Sequence, residues 1–310
     1  MTDALADAPT DRERSPVDAF APTVHGRYED PLVVVEAVRG HRPEPGPGTV
    51  RTEHFDLTPM AGRVLLAHVV PASAVDDDLA GRLRDELFGP GWLRGTDLFE
   101  RVLTGVVRTS AEDPLDSWEL FYRNTLARLD EPIPSPPRGN GGHGSIAGYA
   151  PVHAHALGLL APGPVLELGC CFGFLALRVA RTGRPTIASD VSGGTVALLE
   201  AMASRLDVPL ATVAADAARF PGPDGLADTV LAIHLLEHLE PAHGLQVVAE
   251  AVRLARRRVV VAVPLEEEAD ETYGHVRTVS LDDLDRWGRR TGLAYDVHEF
   301  HDGWLVVDVG

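Results

Sequence analysis

The sequence contains no lysine; all 28 of its basic residues are arginine. A pyridoxal-phosphate Schiff base, a phosphate-binding P-loop lysine and a lysine general base are therefore excluded. Cysteine is nearly as scarce. The two present, Cys170 and Cys171, are neighbours. They offer no loop-closing disulfide framework and fit a reducing compartment, so a cytoplasmic location is expected. No run approaches the ~20 apolar residues of a membrane span. The opening stretch MTDALADAPTDRERSP lacks the apolar core of a signal peptide. Positive charge is also in deficit. A formal net charge of −18 disfavours nucleic acid or an anionic membrane surface as partner, because like charges repel. The one local basic cluster, Arg253, Arg256, Arg257 and Arg258, reads as a helix end complementing the macrodipole.

What is present describes a soluble globular chain, 45% hydrophobic and 24% charged. Its 310 residues suffice for about two domains. Residues 1–25 carry no periodicity and read as a mobile tail. Residues 26–130 read as an α+β accessory domain. It has strands at 32–38 and 63–70 and helices near 76–88, 96–108 and 115–129. Residues 131–147 are proline-rich, then glycine-rich. They read either as an interdomain spacer or as a lid, with Tyr149 or His143 reaching inward. From 148 to 310 strand and helix patterns alternate. The strands fall at 165–168, 186–189, 211–215, 229–233, 257–263, 294–299 and 304–309, the last two close enough for a hairpin. The expected fold class is α/β, a Rossmann-like seven-strand sheet, mostly parallel with one antiparallel strand.

The densest chemistry lies in Val165-Leu-Glu167-Leu-Gly169-Cys-Cys171-Phe-Gly173-Phe174. An apolar strand ends in an acid, a two-glycine turn follows, and a helix begins. That order suits a nucleotide whose anionic or polar groups sit at a helix N-terminus. In a doubly wound sheet ligands bind beyond the C-terminal strand ends. The other residues there are Asp190 and Val191 after the second strand, Asp216 and Ala217 after the third, and His234 after the fourth. An acid at 190 suits ribose hydroxyls, and one at 216 suits an adenine amino group. Each alone is an ordinary cap or turn residue; in register over consecutive βα units they form a site.

Residues 150–310 resemble the class I S-adenosylmethionine-dependent methyltransferases. Glu167-Leu-Gly169-x-x-x-Gly173 is similar to their first motif, Asp190 to their ribose-binding acid and Asp216 to their adenine-contacting acid. His234-Leu-Leu-Glu237-His238 is similar to their fourth-strand motif. One departure is Cys171, which stands where the family has its middle glycine. The resemblance implies S-adenosyl-L-methionine as cofactor, held by Glu167, Gly169, Cys171, Gly173, Asp190, Val191, Asp216, Ala217 and Tyr149. Ubiquinone-pathway and small-RNA O-methyltransferases carry a divalent ion at the fourth-strand motif. By that likeness Glu237, His238 and His275 are candidate ligands for Mg2+ or Mn2+. In the metal-free alternative Glu237 and His238 merely cap and fill a helix start. His234, His238 and His275, with Glu237, are the candidate catalytic residues for removing the acceptor's proton.

Two rival readings remain. Asp190 would equally suit the ribose of NAD, but the dinucleotide fingerprint needs glycines at 171 and 174, where Cys171 and Phe174 stand. His234-Leu-Leu-Glu237-His238 has the spacing of a zinc protease motif, which requires a helix; His234 is expected to end a strand instead. A closer resemblance, over both halves, is to the actinobacterial mycofactocin oligosaccharide methyltransferases. It is carried by Leu166–Arg178, His234–Leu239, Val263–Glu268 and Tyr273–Arg277. It implies a glycosylated small-molecule acceptor methylated on a glucose 2-OH, with Glu266, Glu267 and Glu268 bonding sugar hydroxyls. A phenolic or carboxylate acceptor is the alternative. Oligomeric state is not readable.

Overall fold

The computed structural model describes residues 16–131 and 145–310. These residues divide into two compact units, 16–125 and 126–131 with 145–310. His143 and most of the 131–147 segment lie outside the described residues.

In the first unit five strands form one sheet. They are β1 (Arg27–Glu29), β2 (Val33–Ala37), β3 (Val50–Arg51), β4 (Phe55–Met60) and β5 (Arg63–His68), in the spatial order β1-β2-β5-β4-β3. Only β2 and β5 run parallel. Three helices follow: α1 (Asp78–Leu83, prolonged by a π-helical turn to Phe88), α2 (Thr96–Arg108) and α3 (Pro114–Leu129). α2 crosses β2 so closely that a Cβ on Gly105 would lie 2.4 Å from Val35 Cγ2. The buried Arg101 guanidinium is held by Asp30 and Asp97. Residues 16–25 correct the expected tail. Trp118 Nε1 donates to the Ala19 carbonyl at 2.7 Å and Arg108 Nη2 to that of Ala21 at 2.9 Å, so this stretch is tied down.

The second unit opens with α4 (Ser145–Gly158), so residues 145–147 are helical rather than linker. Then come β6 (Val165–Leu168), α5 (Phe174–Arg181), β7 (Thr186–Asp190), α6 (Gly193–Arg205), β8 (Ala211–Ala214) and β9 (Ala227–Ile233). α7 (Pro241–Leu254), β10 (Ala255–Val263), α8 (Leu281–Thr291), β11 (Ala294–Phe300) and β12 (Asp302–Asp308) complete it. The sheet order is β11-β12-β10-β9-β6-β7-β8, with β12 alone antiparallel to both its neighbours. This is the expected seven-strand Rossmann-like sheet. Strand alternation explains its two-sided burial. Leu166, Val230, Ala232, Val259 and Val261 face α7 and α8, while Val165, Leu231, Ile233, Val260 and Ala262 face the α4 and α5 side. Each fully buried Val or Leu stabilises by roughly 2 kcal/mol over exposure. Arg256, Arg257 and Arg258 lie on β10, not on a helix end. Arg256 pairs with Asp228 and Arg258 with Asp308.

Candidate active site

The turn after β6 is built by sterics. Gly169 and Gly173 have φ of 70° and 72°, in the left-handed region. A Cβ on Gly173 would lie 2.4 Å from Leu199 Cδ2, and one on Gly169 would lie 2.6 Å from Leu235 Cδ1. Both glycines are therefore required by packing as well as by backbone angle. Cys171, where a third glycine was missing, also turns left-handed, with φ of 47°. That conformation costs an L-residue roughly 1–2 kcal/mol. Its amide offsets this by donating to Asp190 Oδ2 at 3.0 Å. Cys170 is buried, and burial pushes its thiol pKa up, so it is packing rather than chemistry.

Asp190 ends β7, and its carboxylate takes the Cys171 amide on one oxygen and the Ser192 amide on the other, at 2.9 Å. Each oxygen keeps a lone pair for a hydroxyl. Val191, next in chain, is 78% exposed, a free apolar surface at the strand end. Asp216 follows β8. Its Oδ1 accepts from the Ala218 amide and from His243 Nε2, both at 2.9 Å, which holds its pKa below the usual carboxylate range. Ala217 lies between them in a half-buried position. Glu167, the acid of β6, is buried with Oε2 unpartnered. Burial pushes its pKa up to about 8, against a hydrogen bond from the Ala176 amide.

Beyond β9 and β10 the polar groups belong to different elements. His234 follows Ile233 with φ of 50°, a strained angle for a side-chain-bearing residue. Its Nε2 meets Asp302 Oδ2, at the start of β12, at 2.6 Å. Burial alone would lower the His234 pKa; the Asp302 hydrogen bond and the charges of Glu237 and Asp302 outweigh it, so the pKa is raised. Glu237 and His238 lie in a short 3-10 turn, Leu236–His238, not on a protease-type helix. Glu237 is buried and neither carboxylate oxygen has a partner; burial raises its pKa. His238 Nδ1 faces the Gly274 carbonyl at 3.2 Å. His275 Nδ1 faces Glu266 Oε2 at 2.7 Å, which places one of the three expected sugar-contacting acids behind a histidine. Ligand atoms of Glu237, His238 and His275 all lie within 4.8 Å of one another.

Tyr149 sits on α4, its ring 5.2 Å from that of His234 and stacked with His153 at 6.1 Å. It thus lies beside two histidines, His153 of its own helix and His234 beyond the fourth strand. His153 is itself buried, its Nδ1 unpartnered, and burial lowers its pKa to about 3. The structure thus gathers His234, Glu237, His238 and His275 beyond the fourth and fifth strands, and keeps Glu167, Gly169, Cys171, Gly173, Asp190 and Asp216 around the first three. Sequence reasoning missed Asp302 and His243. A signal existed for His243, which lies two residues into α7 beyond Glu237-His238; Asp302 had none.

Residues 165–258 match a family model described as a methyltransferase domain. This stretch is a methyltransferase domain. The match includes the turn, Asp190, Asp216 and the His234–His238 element, and stops before Glu266, His275 and Asp302. Comparison with curated proteins returns no match. Similar solved structures include magnesium protoporphyrin IX methyltransferase from Synechocystis PCC 6803 with bound SAH. It is 17% identical over 56% of this chain and 90% of that one, TM-score 0.45. A SAM-dependent methyltransferase from Aquifex aeolicus is 16% identical over 50% and 85%, TM-score 0.42. An O-methyltransferase family protein from Burkholderia thailandensis is 15% identical over 54% and 60%, TM-score 0.44. The methyltransferase domain fills most of the second unit's sheet, and Tyr149, Glu266, His275 and Asp302 flank it.

Proposed function

We propose that the methyltransferase domain moves a methyl group from S-adenosylmethionine to a sugar hydroxyl, with a glucose 2-OH of the mycofactocin oligosaccharide tail as the acceptor. The observation that carries the O-methyl reading is the Asp302–His234 pair at the fourth strand end. With Nε2 held by Asp302, neutral His234 presents Nδ1 as its acceptor. An alcohol must lose its proton as the methyl arrives, and a positioned imidazole is suited to take it. Asp302 fixes the tautomer and then stabilises the imidazolium.

The other residues have roles consistent with this. Gly169 and Gly173 let the cofactor approach the start of α5 closely. Asp190 accepts from ribose hydroxyls, Asp216 from the adenine amino group, and the Ala217 backbone lies alongside. Val191 offers the exposed apolar contact and Cys171 the edge of the turn. Glu167 lies beneath the turn, and its raised pKa marks a buried carboxyl that a cationic ligand would ionise. Tyr149 covers the acceptor side. NAD as the natural ligand is disfavoured because Phe174 begins α5 where a third glycine would be needed.

Glu237, His238 and His275 fit a divalent cation. The test is the buried, unpartnered carboxylate of Glu237, which a positive charge would compensate. When bound there, a divalent ion lowers the pKa of a neighbouring hydroxyl. A sugar acceptor also suits the polar lining of this side, and the likeness to mycofactocin oligosaccharide methyltransferases supplies the choice of glucose.

Calorimetry with S-adenosylmethionine, and NAD in parallel, tests the cofactor. Binding of the first and not the second is expected. Incubation with a glycosylated cofactor precursor should add the mass of one methylene. Turnover of a phenol or carboxylate with none on any glucan would reject the sugar acceptor.

A further inference from the structure

His243 occupies the third position of α7, where the helix itself gives it no task. The N-cap residue Glu240 makes no side-chain cap bond, Pro241 opens the helix and the first turn holds no acid. A histidine there caps nothing, and when charged it opposes the macrodipole. Its ring reaches out of the helix instead. Nε2 lies 2.9 Å from Asp216 Oδ1, 27 positions back in the chain. The Ala218 amide donates to the same oxygen at 2.9 Å. Both lone pairs of Oδ1 are therefore taken, and Oδ2 is the oxygen left for a ligand. The Asp216 and His243 side chains are 41% and 42% exposed, so that ligand can reach them from solvent. Both ends of the contact are anchored. Val247, Val248 and Ala251 bury α7 against the sheet, and the Ala215 amide donates to the Asp190 carbonyl at 2.9 Å.

We propose, building on the methyltransferase reading, that His243 is a positioning residue that turns Asp216 so that Oδ2 receives the 6-amino group of the cofactor's adenine, and thereby sets the preference for a base carrying that group. The last torsion of an aspartate is broad. A carboxylate held by Ala218 alone can rotate and offer the base either oxygen. A second donor on Oδ1, from a rigid helix, fixes the plane of the group. A bond to a charged acceptor gains strength from alignment, so the plane decides the affinity. His243 acts through Asp216 rather than on the base.

The test uses the full chain and two ligands titrated by calorimetry: S-adenosylhomocysteine, and its analogue with hydrogen in place of the 6-amino group. The intact protein should prefer the first by about 10-fold or more. His243→Ala should weaken the first about fivefold and the second less than about twofold, so that the preference shrinks. His243→Gln, whose amide can donate from a similar place, should restore most of the preference. Asp216→Asn should remove most of it. Adding His243→Ala to Asp216→Asn should then change neither ligand by more than about twofold, because the two residues act as one unit. Melting curves of His243→Ala and His243→Gln show that each variant is folded. Equal weakening of both ligands by His243→Ala, as a merely structural role would give, overturns the proposal. An unchanged preference overturns it as well. If the intact protein binds neither ligand, the methyltransferase reading fails; if it binds S-adenosylhomocysteine and the preference ignores His243, this proposal alone fails.

Discussion

Asp190 and Glu237 are both carboxylates at strand ends of one sheet, and their surroundings are opposite. Asp190 receives a backbone amide on each oxygen, from Cys171 and Ser192, and Asp216 is similarly served by Ala218 and His243. Glu237 accepts no hydrogen bond from a neighbouring residue and is almost fully buried. The half of the site around β6, β7 and β8 is thus completed by the chain's own hydrogen bonds. The half beyond β9 and β10 holds a buried carboxyl without a hydrogen-bond partner, its pKa raised by burial and opposed by the nearby His234 and His275. Each acid of the first kind takes one amide from its own turn, Ser192 or Ala218 two residues on, and one donor from a neighbouring βα unit, Cys171 or His243. The second kind draws on the Glu237 turn, the Glu266–His275 loop and β12 at once.

The comparison can be broken experimentally. The largest effect is expected from Gly173→Ala. A left-handed φ and a 2.4 Å approach to Leu199 combine to destabilise by about 3 kcal/mol, with loss of S-adenosylmethionine binding, checked by denaturant melts and calorimetry. Next, Asp190→Asn should destabilise the ligand-free protein by about 2 kcal/mol, since an amide cannot accept two backbone N–H groups equally. Glu237→Gln should do the reverse, raising the metal-free melting temperature by the equivalent of about 1 kcal/mol, because a buried acid without a hydrogen-bond partner is removed. If both substitutions shift stability in the same direction, the contrast fails.

Glu167 gives a smaller, pH-dependent signal. Its folded pKa of about 8 lies above the ordinary glutamate value of 4.5, so the folded state binds the extra proton between them. Its stabilisation is complete below about pH 4.5 and is lost as pH rises through 8. The unfolding free energy should therefore fall with rising pH in that window by up to about 1.4 kcal/mol per pH unit, read from denaturant melts at several pH values. Glu167→Gln should remove that slope. The smallest effect is Cys171→Gly, within about 0.5 kcal/mol, as relief of a left-handed angle offsets added chain entropy.

The seven strands of the second unit were legible because each is a short apolar run between breakers, and successive βα units repeat the pattern. The strand-end positions were legible for the same reason: Gly169 follows β6 directly, Asp190 ends β7 and Asp216 lies two residues past β8. α4 was not, since Gly148 and Pro151 disguise a helix as linker. β4 contains Pro59 and β3 is two residues long, so neither announced itself. Asp302 and Glu266 were not assigned their roles because their partners, His234 and His275, lie 68 and 9 positions away. Only the tertiary fold brings an acid behind an imidazole. The neighbours of Tyr149 were equally unreadable, because His234 meets its ring from 85 positions away.

β12 bears on how the protein reaches this state. It is synthesised after every other strand of its sheet, yet it lies between β10 and β11, which are made before it. The sheet must stay open along that seam until residues 302–308 are inserted. Non-local pairing of this kind is slow, because loop closure precedes its reward. His234 acquires Asp302 in the same event. The turn after β6 can therefore assemble early, whereas the His234–Asp302 pair forms only when the last strand closes the sheet.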